Sequence, residues 1–560
     1  MNHKLMKAVA ASAILALGAA ACGSSTTGNN SASSGKTLVI DDTPLSPMTD
    51  TFNPYSATST GHEVTSDSLY YEPLFIWNIL NPAEKPFDVL GTGYSWSNSG
   101  KTLTIDTRSG VTWNDGKPFS ASDVAFTFNM LRAHSGLDTD GTPVPTAATA
   151  PSATTAVLTF SQPEYTNLFL IGQTYIVPEH VWSKVDPATF ADTTPVGTGP
   201  YELDKFSSQG FTLKENPNYW NKSSVHVPEI SYPSYSQNFN IVNPLATGQI
   251  DLAGNDIADV QSVYLAKSTD NHTYSPAAPY YTANNLVSLI FNVTKAPLND
   301  PAVRQAVSYG IDRSQLSAQG ETGYELPATS TSGLLLPGDS SFLEPSLANN
   351  LPSSGDPAKV SSILTADGYS QVGGKWTKGG QQISFSIADP IPYSDYYLDA
   401  QAIAKQLNNL GFNVTVNGIG DPTVWNGDVA DGNFDATIHW SNQGPGPYYI
   451  YDGLLDSTLT APVGQAAAND LGRWNDPSTQ AALAAYAGSD SSSTQQSAIN
   501  TLENIMNTQT PVAPLLYGAA WWQYSTRDYT GWPSSSDPFM NPSVNSPYLE
   551  ETILHLKPVS

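Results

Sequence analysis

One cysteine, Cys22, stands in 560 residues. It can close no internal disulfide and build no multi-cysteine zinc site. Charge is scarce and one-sided. Charged residues make up 13% of the chain, with 23 Lys+Arg against 50 Asp+Glu and a net charge of −27. Such a surface repels phosphate backbones, which argues against nucleic acid as a partner and suits solubility outside the cell. Beyond the first 21 residues no run approaches 18 consecutive apolar residues, so nothing later reads as a membrane span. The usual signs of chemistry are missing as well. Gly100-Lys101-Thr102 would need a glycine at 95, which is Ser95, so it cannot cradle phosphate. There is no G-x-S-x-G elbow, and the eight histidines include no H-x-x-x-H pair. No enzyme activity, cofactor or metal is therefore expected. A pair of facing carboxylates, as in a glycosidase, carries no sequence mark of its own.

What surrounds the lone cysteine is informative. Lys4 and Lys7 precede the apolar stretch AVAASAILALGAAA, which runs to Ala21. That is the layout of a secretory signal peptide, too short for a comfortable membrane helix. GSSTTGNNSASSGK follows Cys22 and cannot bury enough apolar surface to fold. Small residues before a cysteine and a flexible tether after it resemble a bacterial lipobox, although Ala19 replaces the usual leucine. The resemblance implies a signal peptide over 1–21, a lipidated Cys22 anchoring the chain to the outer face of the cell membrane, and a tether over 22–36.

The remaining 540 or so residues exceed what one core usually serves, so two or three lobes are expected. Helical and strand patterns alternate, which predicts α/β lobes. LTIDTRSGVTW reads as a strand, turning at Asn114-Asp115-Gly116 into a helix capped by Ser122. LVSLIFNV (286–293) reads as a buried strand, and Pro301 opens the helix after it. YYLDAQAIAKQLNNLGFNVTV (396–416) reads as an amphipathic helix closed at Gly411 and entering a strand. The chain also holds 12 Trp and 28 Tyr, many among Asn, Gln, Gly and Pro. Rings in such company can line a cleft for a polar, uncharged ligand.

Six stretches, in order, carry a family resemblance: TLTIDTRSGVTWNDGKPFSASDVAFTFNML, PVGTGPYEL with KENPNYW, LATGQIDLA, LIFNVTKAPLNDPAVRQAVSYGIDRSQL, LTADGY and GNFDATIHW. With them the sequence resembles family 5 of the bacterial extracytoplasmic solute-binding proteins, the peptide- and nickel-type receptors of ABC importers. The resemblance implies a large two-lobe periplasmic-binding-protein fold of α/β class, with hinge strands and an extra domain inserted in the first lobe. The first lobe would comprise 37–70, 190–285 and 506–560, the inserted domain 71–189, and the second lobe 286–505. It also implies a monomer that captures a solute between its lobes and presents it to a membrane permease and its ATPase. Arg304 and Asp312, within the matching stretches, are expected in intramolecular ion pairs.

Peptide-binding relatives carry an aspartate, three residues after a tryptophan, that pairs with the peptide's amino terminus. Here the tryptophan is Trp440 and the position is Gln443, or Gly444 when counted from Phe434; Asp452 lies further on. Burying an ammonium without a carboxylate is costly, so the missing acid favours a neutral cargo. The loop SNQGPGPYYIYDG is amide- and tyrosine-rich and resembles that of the family's oligosaccharide-binding branch. A β-gluco- or xylo-oligosaccharide is the favoured cargo and an oligopeptide the alternative. The ligand-binding candidates are Trp440, Asn442, Gln443, Asn255, Trp425, Trp521, Trp522, Trp77 and Asn78.

Overall fold

Three sheets organise the chain in a computed structural model that describes residues 35–81, 84–137, 141–545 and 547–559. The signal segment and Cys22 lie outside the described residues. The first sheet has seven strands, in the order Asn271–Thr273, Gln523–Ser525, Leu252–Ala253, Leu38–Asp41, Glu229–Pro233, Gly210–Glu215 and Tyr201–Ser207. Leu38–Asp41 runs parallel to both of its neighbours. The second has six, in the order Leu326–Pro327, Val512–Ala519, Ala283–Phe291, Ala436–Trp440, Ser384–Pro390 and Asn413–Ile419. Its central strands Ala283–Phe291 and Val512–Ala519 are buried along almost their whole length. Val512–Ala519 accordingly reads as a continuous run without alternation, and Ala283–Phe291 buries Asn284, Asn285 and Ser288 along with its apolar residues.

The chain leaves the first sheet after Thr273, joins the second at Ala283, and returns between Ala519 and Gln523. The return expected at 506 thus falls too early. Val512–Ala519 pairs along Ala283–Phe291, and those ladder bonds keep it in the second sheet. Helices Pro301–Gly310 and Ser394–Asn409 pack their apolar faces on that sheet around Val303, Val307, Ile403 and Leu407. This is the mixed α/β, two-lobe architecture.

A four-stranded antiparallel sheet, Gly91–Ser97, Thr102–Thr107, Thr155–Thr159 and Ala147–Ser152, builds a third body. Helix Ala121–Ala133 covers it. Its cap is Ser120 rather than the expected Ser122. Ser120 and Asp123 form a reciprocal capping box, which satisfies two otherwise orphaned N–H groups. The core of this body continues into the second lobe. Phe169 meets Tyr449 with ring centroids 4.8 Å apart, and the Tyr449 hydroxyl donates to the Thr166 carbonyl at 2.7 Å.

The bend at Gly197 needs glycine because a Cβ there would lie 1.6 Å from the Tyr70 carbonyl oxygen. Arg304 and Asp312 form no ion pair with each other or with another side chain among the described residues. Arg304 is 2% exposed and donates to the carbonyls of Leu298, Gln509 and Thr510, at 2.6–2.8 Å. A guanidinium spends its donors on backbone where no carboxylate is in reach. Asp312 caps helix Arg313–Gln319 through the N–H of Gln315.

Candidate functional site

The strand Ala436–Trp440 delivers Trp440 to its C-terminal end, where 37% of the residue remains exposed. Tyr393, from the turn after strand Ser384–Pro390, and Tyr396, from the first turn of helix Ser394–Asn409, both lie 6.4 Å from its ring. His439 stacks on it at 4.3 Å, and burial keeps that imidazole's pKa below its ordinary value, hence neutral. The first lobe approaches here. Glu63 and Asp42 act on the Tyr393 phenol, and Glu63 also feels His62 and Asp421, the N-cap of helix Pro422–Ala430. Burial raises Asp42 to about 7, against the hydrogen bonds from Thr65 and Thr43 that favour its charge. The result is an aromatic shelf with carboxylates of both lobes close to it.

The nine candidate residues divide. Trp440 and Asn442 are brought together and line one small recess with Ser441, Gly453 and Asn469. Asn442 is half-buried against Gly453. Gln443 is half-buried next to it, and its Oε1 has no hydrogen-bond partner. Asn255, 3% exposed, stands beyond strand Leu252–Ala253 of the first sheet; its Nδ2 donates weakly to Asn238 at 3.4 Å, and its Oδ1 is unpartnered. Trp521 is half-buried at the return crossing, edge-on to Tyr281 at 4.8 Å.

The other four pack among protein groups. Trp425 is fully buried, donates to Thr437 Oγ1 at 3.0 Å and stacks on His439 at 5.5 Å, so it supports the shelf from behind. Trp522 is fully buried in the first lobe's core against Tyr524 and Trp532. Trp521 and Trp522 pack into different clusters, Trp521 with Tyr281 and Tyr324 and Trp522 with the first lobe's core. Trp77 is 8% exposed and wedged between Phe75 and Phe169. Asn78 is 4% exposed and spends its amide on the backbone, donating to Pro538 O and accepting from Leu80 N. Asp452 is buried, accepts from the Tyr448 hydroxyl at 2.9 Å, and is pushed to about 8 by burial and by Asp456.

Sequence reading missed Tyr393, Tyr396 and the acids around them. The signal was present in IPYSDYYLD, where rings and carboxylates share one strand end and helix start. Among the groups that act on Tyr393, Tyr396, Asp395 and Glu325 there is no lysine, arginine or histidine. Chemically the arrangement offers flat apolar faces and hydrogen-bond acceptors, with the His439 imidazole stacked on the shelf and His62 beside Glu63.

Known proteins share this architecture. The glutathione-binding protein GsiB of Salmonella typhi is 28% identical over 332 residues, covering 57% of this chain and 59% of that protein. The chain thus spans about three-fifths of the length of the curated relatives it matches. GsiB of Shigella flexneri is 29% identical over 329 residues, with the same coverage. Among solved structures, the mannohexaose-bound periplasmic oligopeptide-binding protein of Thermotoga maritima superposes with a TM-score of 0.85 at 24% identity, covering 94% of this chain and 99% of that one. The oligopeptide-binding protein AppA of Bacillus subtilis, in complex with a nonapeptide, gives 0.75 at 15% identity, covering 94% and 99%. The family model for the bacterial extracellular solute-binding proteins, family 5 Middle, matches residues 85–461, over half of the sequence, and the chain belongs to that family.

Proposed function

We propose that this protein is the solute receptor of an ABC importer, and that it takes a neutral oligosaccharide between its lobes and hands it uncut to a membrane permease. The observation that carries the cargo reading is the half-exposed Trp440 face, flanked by Tyr393 and Tyr396, with the carboxylates Asp42, Glu63 and Asp395 acting on the Tyr393 phenol. Pyranose faces pack on rings, and sugar hydroxyls donate to Asp, Glu and Asn oxygens. The Thermotoga maritima relative with bound mannohexaose adds support. An oligopeptide is the second reading. The acids Asp42, Glu63 and Asp395 beside the same rings suit an ammonium, and AppA was solved with a nonapeptide.

Titration calorimetry separates the two. Manno-, gluco- and xylo-oligosaccharides are expected to give heat with little salt dependence, because no ion pair is involved, and di- to pentapeptides none. Tight, salt-sensitive binding of free-amine peptides reverses the assignment. Recovering a labelled oligosaccharide intact after incubation distinguishes a receptor from a glycosidase. The anchor is tested separately. Cys22→Ser is expected to move the protein from the membrane fraction to the medium, and an unmodified mature chain beginning at another residue ends the lipoprotein reading.

A further inference from the structure

Five buried carboxylates from the two lobes act on one another, and none forms an ion pair among the described residues. Asp256 follows strand Leu252–Ala253 of the first sheet. Glu321 and Glu325 lie between helix Arg313–Gln319 and strand Leu326–Pro327, and Asp395 and Asp399 stand one turn apart on helix Ser394–Asn409, all in the second lobe. Their exposures are 8, 0, 0, 5 and 1% in that order of naming. Both oxygens of Glu321 and of Asp399, and one each of Asp256, Glu325 and Asp395, have no hydrogen-bond partner. The other Glu325 oxygen accepts from the Ala519 N–H at 2.8 Å, at the crossing between lobes. Asp399 lies against Gly320 so closely that a Cβ there would be 2.2 Å from its Oδ1.

The neighbours are also acidic or phenolic. Tyr281 and Tyr324 feel Asp256, Tyr396 feels the four second-lobe acids, and Asp389 acts on Asp399. No lysine, arginine or histidine is among the groups acting on any of the five. Among the described residues no three His, Cys, Asp or Glu side chains are placed to hold a metal ion. Carboxylates crowded in this way cannot all ionise, so some carry protons while the cluster stays buried.

We propose that Asp256, together with Glu321, Glu325, Asp395 and Asp399, forms a proton-linked latch, so that the protein takes up protons when its lobes close and releases them when they open. Opening about the crossing strands carries Asp256 away with the first sheet and lets water reach the second-lobe acids. Burial first, and mutual repulsion second, hold Asp256, Glu321 and Asp399 above the ordinary carboxylate range, and burial holds Asp395 at about 6. The closed state therefore binds more protons than the open one, and linkage makes closure more favourable as pH falls. The direction does not depend on what the cleft carries.

Small-angle scattering of the ligand-free protein between pH 8.5 and pH 5 tests this. The radius of gyration is expected to fall as pH falls, and Asp256→Asn is expected to flatten that dependence. Glu325→Gln serves as a second variant should the first fail to fold. Glu503→Gln is the control: Glu503 is a buried acid of the second lobe bound to the Glu344 N–H, and its variant should keep the wild-type dependence. A radius equal at both pH values, or an undiminished dependence in Asp256→Asn and Glu325→Gln, overturns the latch. Either result leaves the cargo reading intact, because no ligand is present.

Discussion

Trp440 and Trp522 show what one residue's surroundings decide. Trp440 ends a strand with a free face, whereas Trp522 fills the first lobe's core and shows none. Trp440→Ala should weaken oligosaccharide binding by about 1–3 kcal/mol, the order expected for losing an aromatic platform, with little change in melting temperature. Trp522→Ala should instead cost about 3–5 kcal/mol of stability through the cavity it leaves. Calorimetry and thermal melts of the two variants check the contrast, and exchanged phenotypes would reverse the assignment. Trp440 sits in a stretch that matches the family and Trp522 beyond the matched residues, yet sequence alone offered both as ligand-binding candidates. Exposure separates them, and exposure is a property of packing.

Single elements were more legible, because their signals are local. The Trp113–Gly116 turn, the Pro301 helix start and the close of the long helix before Gly411 (φ +96°) depend on neighbours in the chain. Where the reading slipped, the competitor was nearby. Ser120 and Ser122 both suit a cap, and Asp123 decides for Ser120 because it sits three residues on and closes the box. Ser120→Ala should cost about 1 kcal/mol in denaturant unfolding, whereas Ser122→Ala should be near neutral. Arg304 failed for a long-range reason. Two of its three carbonyl partners come from Gln509 and Thr510, some 200 residues away, and no local pattern announces them.

Across the whole molecule, buried acids set the response to pH. Burial raises Glu72 and Asp192 to about 7, and burial with Asp456 raises Asp452 to about 8. Folded pKa values above the unfolded ones mean that the native state binds more protons between about pH 4 and 8. Stability from these groups is therefore fully present below the unfolded carboxylate range and is lost as pH rises through 7 to 8. The melting temperature should fall from pH 5 to pH 8.5, and Asp192→Asn should lessen the fall. A melting temperature that rises over this interval would contradict the burial of these carboxyls.

The sequence by itself determined the α/β class, the family, several helix and strand starts, and the absence of the usual catalytic motifs. These follow from periodicity, capping and turn chemistry, which act over a few residues. The tertiary structure alone decided which aromatics form the shelf and which fill a core. It also fixed where the chain crosses back between lobes, and it gathered Asp256, Glu321, Glu325, Asp395 and Asp399 from three separate segments. The reason is physical: a ring or a carboxylate carries the same chemistry wherever it stands. Its role follows from what removes it from water and what charge faces it, and here both come from residues distant in the chain.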